Sequence, residues 1–239
     1  METTESIDRK NDCLVCGKEL VYRTSQGAAV CYYCGEQHHT NAACSAGHYV
    51  CDRCHGLKGK DSIETFCTMT DMTDPITMAV ILMRNPEIKM HGPEHHFLVP
   101  AVLLSAYCNL SGFAGDEKKD KIRKARQRAE NVLGGFCGFY GDCGAAVGTG
   151  IFLSVLTGAT PLSTKEWRLG NLMTAKSLFS IANHGGPRCC KRNSFLAIIE
   201  AAGFVKEYFQ VDMPIHRHPH CEFTSFNKEC RTIECPFYA

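Results

Sequence analysis

Cys13-Leu14-Val15-Cys16-Gly17 and Cys31-Tyr32-Tyr33-Cys34-Gly35 are two copies of one turn, and they limit what the first quarter of this chain can fold into. A Cys-x-x-Cys turn aims two sulfurs at one point, and the glycine after it permits a positive φ while backbone amides bond to sulfur. Residues 13 to 55 contain seven cysteines and four histidines but too few large apolar residues for a core. Metal ions must therefore supply the folding energy, as they do in small domains where binding and folding are one event.

The two knuckles are separated by fourteen residues, a zinc-ribbon pattern. Four more ligands follow in Cys44-x3-His48-x2-Cys51-x2-Cys54, a run that resembles part of the ligand order of RING-like and treble-clef fingers. The preferred grouping is sequential, with one Zn2+ on Cys13, Cys16, Cys31 and Cys34 and a second on Cys44, His48, Cys51 and Cys54. A competing grouping takes Cys31, Cys34, His39 and Cys44 as a knuckle and leaves Cys13 and Cys16 to pair with Cys51 and Cys54 as a cross-brace. Either arrangement is saturated, which suits a structural metal better than a hydrolytic one.

Sixteen of the 239 residues are cysteine. The N-terminal residues contain no apolar segment of the secretory type, so a cytoplasmic protein is expected, where thiols serve metals or redox chemistry more often than disulfides. No membrane span is expected either: the longest apolar candidate, residues 144 to 159, is broken by four glycines and falls short of the ~20 residues required. Lys+Arg 26 against Asp+Glu 25 gives a net charge of +1, which removes the simplest argument for nucleic-acid or membrane-surface binding.

The expected fold is mainly α: a zinc-binding module at 1–60, a helical bundle at 61–215 and a Cys/His-rich metal-binding tail at 216–239 packed on the bundle. Asp74-Pro75 reads as N-cap and first helical residue of a segment stopping at Asn85-Pro86. Helices are expected over 97–110, around Pro100, and over 116–133. A further helix is expected after Cys143, and another from a Ser163/Glu166 capping box to about Ala182. Pro187 is expected to open a short helix closed by Gly203, with a strand at 205–211. Seven basic against four acidic residues lie between Asp116 and Glu130. That face is a candidate dock for RNA or an acidic partner, and its alternative is an ordinary solvated helix face.

Outside the knuckles the chemistry gathers at helix starts. Glycines precede Cys143, and small residues follow it, so its sulfur is expected in the field of a helix N-terminus, where thiolate is favoured. A Gly-x-x-x-Gly packing face beside an inert cysteine is the alternative. Cys189 and Cys190 repeat the pattern between Arg188 and Lys191-Arg192, and His95-His96 lies near a third helix start, with His95 as a candidate proton donor. The tail supplies Cys221, Cys230 and Cys235, the last followed by proline as in iron-sulfur segments. Its fourth ligand is expected from Cys189, Cys190 or Cys137, with Cys190 assigned to the cofactor and Cys143, Cys189 and His95 to the reacting centre. A third zinc site using His216, His218 or His220 is the rival.

The stretch 134–158, with Cys143-Gly144-Ala145-x-x-Gly148 and an apolar continuation, resembles the redox-active helical family named for its C-GCAxxG-C-C pattern. Here histidines stand where that family has its first cysteine. The whole chain, with its knuckles, the Gly47-His48-Tyr49-Val50-Cys51-Asp52-Arg53-Cys54-His55 segment and the tail, is similar to an uncharacterised Cys-rich domain family of anaerobic bacteria and archaea. That resemblance implies a fold and a cysteine set. Together these features lead to a metalloprotein of low-oxygen settings with two structural Zn2+ and an iron-sulfur cluster or reactive thiol centre. Its chemistry would be electron transfer or sulfur handling with a redox or enzyme partner, and the alternative is a zinc-dependent RNA- or protein-binding module.

Overall fold

The computed structural model describes residues 13–238. The N-terminal module is an antiparallel hairpin of β1 (Leu20–Val30) and β2 (Gln37–Cys44), followed by a single turn of helix, α1 (Asp52–His55). The helical part comprises α2 (Gly59–Met69), α3 (Pro75–Met83), α4 (Glu94–Ser111), α5 (Gly115–Ala129), α6 (Phe136–Phe139), α7 (Gly144–Thr157), α8 (Lys165–Asn183) and α9 (Cys190–Phe209). An extended tail with two short 3-10 turns returns across the bundle. No helix among the described residues is long and apolar enough to cross a membrane.

Helix α4 is the axis of the bundle. Residues 97–106 are all buried, as befits a helix that is apolar on every side, and α2, α3, α5, α7 and α9 all pack on it. Pro100 lies inside α4, and α7 crosses against it through glycines. A Cβ added at Gly148 would lie 2.9 Å from the Pro100 ring and 3.1 Å from the His96 carbonyl oxygen, and one at Gly144 would fall within 2.2 Å of the His96 ring. The Gly-x-x-x-Gly spacing is thus a packing face, and its consequence is chemical: it brings the start of α7, with Cys143, against the start of α4, with His95 and His96.

The capped start of α3 is as expected, with the Asp74 side chain accepting from the Ile76 amide at 2.9 Å. Local expectations at the start of α8 and at both ends of α9 are overturned. The Ser163/Glu166 capping box does not form; Ser163 Oγ accepts instead from the Thr160 amide at 3.0 Å, and α8 begins two residues later. Helix α9 starts at Cys190 rather than at Pro187, Gly203 does not end it, and its last turns, to Phe209, take most of the expected strand at 205–211. Ala201, Ala202, Phe204 and Val205 are all buried, and their burial outweighs the roughly 1 kcal/mol that an interior glycine costs. The basic face of α5 is largely engaged within the chain. Lys119, Lys121 and Arg123 pair with acidic neighbours one turn away, Arg126 pairs with Asp61 and Glu64, and buried Lys118 donates to the Thr70 carbonyl and Asn109.

The module and the bundle share one continuous core. Tyr33 is fully buried with its ring 5.3 Å from that of Phe66 on α2, and Arg84 at the end of α3 donates to the Val15 carbonyl inside the first knuckle. The tail closes the other side: Phe237 packs edge-on against Phe195 of α9 at 5.4 Å. Gly148→Ala is expected to destabilise the zinc-loaded protein by about 1–3 kcal/mol in urea unfolding, because proline ring and backbone cannot move aside. Gly170→Ala on α8, where an added Cβ meets nothing within 4 Å, is expected to be neutral or stabilising by up to about 1 kcal/mol; equal effects of the two would refute the packing role.

Candidate metal centres

Each knuckle is tied off by its own backbone, Cys13 N–H to the Lys18 carbonyl at 2.9 Å and Cys31 N–H to that of Glu36 at 2.9 Å. The hairpin register then decides which sulfurs meet. Leu20 lies opposite Cys44 and Val30 opposite Gln37, so the first knuckle stands beside Cys44 and the second at the other end of the pairing. Cys13, Cys16, Cys44 and His48 form one group and Cys31, Cys34, Cys51 and Cys54 another, with ligand atoms all within 4.8 Å of one another in each. Both groupings read from spacing are therefore replaced: Cys13 and Cys16 join Cys44 and His48, and Cys31 and Cys34 join Cys51 and Cys54, although the eight residues are those of the sequential grouping. His48 rather than His39 is the imidazole ligand, and His39 sits exposed on β2.

The distances fit zinc. A tetrahedral ion with Zn–S bonds of about 2.3 Å sets sulfurs about 3.8 Å apart; Cys16 and Cys44 are separated by 3.8 Å and Cys34 and Cys51 by 3.9 Å. His48 Nδ1 stands 3.3 Å from both Cys16 and Cys44 sulfurs. Backbone donors complete the shells, from His48 to Cys44 and from Cys51 to Cys31. Burial pushes the Cys13 thiol up to about 11, so an ion entering that site must displace its proton, and affinity falls with pH.

A second gathering of sulfur lies where α7 and α9 begin. Cys143 occupies the N-cap of α7, and its sulfur accepts from Asn193 Nδ2 at 3.5 Å. Cys189 occupies the N-cap of α9, its sulfur accepting from the Arg192 amide at 3.5 Å. The tail folds over this end: Arg231 donates to the His184 carbonyl, and Asn227 Oδ1 lies 3.1 Å from His91 Nε2. Burial pushes Cys221 up to about 11, and the nearby thiols of Cys189, Cys235 and Cys230 add to the rise. Cys190 faces elsewhere. Burial raises it to about 11 against the Gly92 amide, and its sulfur neighbours are Cys143 and Cys189. Of the two adjacent cysteines, Cys189 is the one that interacts electrostatically with Cys221 and Cys235, since consecutive residues at a helix start point in different directions.

Two expected electrostatic states are reversed. Burial raises the Cys143 thiol despite the lowering amides of Ala145 and Ala146 and the Asn193 side chain; burial likewise raises Cys189. Desolvation therefore outweighs the helix terminus at both. His95 is fully buried, and burial together with Lys191 holds its imidazole well below the ordinary value of 6.5. It is neutral at pH 7 and not a charged proton donor. Its Nδ1–H donates to the Gly92 carbonyl at 3.0 Å, which leaves an unprotonated Nε2 without a partner among the described residues. Sequence reasoning named Lys191 and Arg192 only as charges flanking the paired cysteines and did not name Asn193; that both cations are buried at this end is a result of tertiary packing.

Zinc-loaded protein is expected to contain two ions per chain, one for each ligand group. In the cobalt form, Cys16→Ser and Cys44→Ser should perturb one set of thiolate-to-metal bands, and Cys34→Ser and Cys51→Ser the other. Joint perturbation of one set by Cys16→Ser and Cys34→Ser would restore the sequential grouping. The pH dependence of His95 has a definite sign. Its folded-state value lies below the unfolded 6.5, so its contribution to stability is present above that pH and declines as pH falls beneath it. Denaturant unfolding should show less acid destabilisation in His95→Asn, which keeps a donor for Gly92, than in the parent protein; identical pH profiles would contradict this.

Residues 1–66 match a model described as a double zinc ribbon, in agreement with the two ligand groups. No curated protein and no solved structure matches the chain. Residues 63–238 match the model of a family of unknown function, DUF5714, and since this is well over half the chain, the protein belongs to that family.

Proposed function

We propose that this is a metalloprotein of electron transfer or sulfur handling, in which the ribbon zincs are structural and Cys189, Cys221, Cys230 and Cys235 hold an iron-sulfur cluster. The observation that carries this reading is the neighbourhood of Cys221, which combines one helix-start thiol with both remaining tail thiols. Four thiolates are the usual donor set for such clusters. Among the described residues these four sulfurs contain no group of three within 4.8 Å, and neither do the tail histidines. A single tetrahedral ion holds its sulfurs closer than that. A cluster bound there would supply one-electron chemistry.

The protein's own residues support that use. The Arg192 amide on Cys189 and the Phe223 amide on Cys221 stabilise thiolate at two of the proposed ligands. Cys143, linked to α9 through Asn193, and Cys190, linked to the His95 loop through Gly92, place two further thiols beside the set without belonging to it. Neutral His95, with a bare Nε2, is suited to accepting a proton. The sequence resemblance to the C-GCAxxG-C-C family is in keeping with the same reading, in which a redox partner protein would deliver or collect electrons.

Protein purified and reconstituted without oxygen is expected to contain iron and acid-labile sulfide in addition to zinc. Both should be lost in Cys189→Ser, Cys221→Ser and Cys230→Ser and largely kept in Cys190→Ser. Loss in Cys190→Ser with retention in Cys189→Ser would return the ligand assignment to the sequence-based one. Protein that takes up only zinc would defeat the proposal and favour a binding module for RNA or protein.

A further inference from the structure

A cavity of about 540 Å³ opens beside Cys143. Its walls come from α6 and the glycine turn before α7, the last turns of α8, and the 185–193 loop into α9. Cys137 and Cys143, Leu178 and Ile181, and Arg188 and Arg192 are all among the residues that line it. None of this belongs to the four sulfurs assigned to a cluster, and the inference stands whether or not they bind iron.

The arginines are the unusual feature. Arg192 is 4% exposed, and it lies in the first turn of α9, where the helix terminus is itself positive and acidic residues are normally preferred; that turn has none. Its Nε donates to Asn193 Oδ1 at 3.2 Å and its Nη2 to the carbonyls of Gly185 and Pro187 at 2.7 and 3.1 Å. Neutral partners hold the guanidinium in place without cancelling its charge, and Nη1 has no partner among the described residues. The other partly buried arginines differ: Arg84 pairs with Glu222, and Arg126 with Asp61 and Glu64. No carboxylate of the described residues pairs with Arg192 or with exposed Arg188. A desolvated cation without a counter-ion is costly, and a ligand anion removes that cost. The cavity falls in the range usual for small-molecule sites, roughly 300–1,000 Å³, and its Leu178 and Ile181 wall suits a carbon skeleton.

We propose that this cavity binds a small organic acid, with the carboxylate on Arg188 and Nη1 of Arg192, the apolar body along Leu178 and Ile181, and the far end at the thiols of Cys137 and Cys143. A planar guanidinium matches a carboxylate with two parallel hydrogen bonds. The site thereby takes an anionic metabolite to the sulfur-rich end of the bundle, where a bare thiol and a neutral imidazole stand close to the same helix starts.

The thiols make the site testable without knowing the natural ligand. Iodoacetate and iodoacetamide alkylate the same sulfur but differ in charge, and the ratio of their rates at Cys137, read by peptide mass spectrometry, reports carboxylate recognition. Its reference is the same ratio in urea-unfolded protein. Folding is expected to raise it on the order of tenfold, the size of one charge-assisted hydrogen bond. Arg188→Gln, an exposed substitution that spares the fold, should abolish the rise, while Arg168→Gln on the outer face of α8 should not. Butyrate should protect Cys137 saturably. A ratio unchanged by folding or by Arg188→Gln, or equally sensitive to Arg168→Gln, would overturn the proposal. Protection by inorganic phosphate but not by butyrate would overturn the organic-acid assignment in favour of a free oxyanion. Iron content, measured on the same samples, keeps this outcome separate from that of the cluster.

Discussion

An apolar helix with no solvent face has to be surrounded, and α4 imposes that requirement on everything after the ribbon. Five helices cover it, and the tightest contact is made by α7, whose glycines let two backbones approach to a separation that any side chain would forbid. Because the approach occurs at the N-terminal halves of both helices, it fixes where α7 starts relative to His95. Helix α9 packs on both α4 and α7, so its own start is brought to the same end. The convergence of Cys143, Cys189, Cys190 and His95 is a by-product of covering α4, and an alanine in place of Gly148 would strain the contact that sets it.

The two sulfur-rich regions obey different physics. In the ribbon, short turns and a hairpin bring ligands to distances that suit one ion, and backbone amides point at the sulfurs. In the bundle end, thiols come from elements far apart in sequence, stand farther from one another, and are desolvated enough to be raised rather than lowered in pKa. A helix terminus is a weak field compared with the removal of water, and thiolate is favoured there only when a further positive charge is added. Metal at the tail sulfurs would supply it.

Lys191 and Arg192 are part of the same balance. Two buried cations in the first turn of α9 oppose the helix dipole, an arrangement that a folded protein tolerates when negative charge collects nearby. Lys191 is occupied by the Ile88 carbonyl and the Phe223 ring, which ties the tail to the bundle. Arg192 instead keeps one edge of its guanidinium toward the cavity. An organic anion in the cavity would balance a charge pattern that packing alone does not explain.

The ribbon's ligand set was legible in sequence because Cys-x-x-Cys turns are local: four residues define each one and nothing distant alters it. The start of α3 was legible for the same reason, since Asp74 caps a helix that Pro75 begins. The grouping of ligands was not, because spacing along the chain is compatible with several pairings, and the strand register, Leu20 against Cys44, selects one that differs from both groupings read from sequence. Gly203 misled because a glycine's local cost is small beside the burial of Phe204 and Val205. The sequence by itself determined which atoms are available for chemistry, namely the eight ribbon ligands and the helix-start and tail thiols. Tertiary structure alone decided their partners and their charge, through the register of one hairpin, the burial of helix starts, and the direction each of two adjacent cysteines takes at the head of α9.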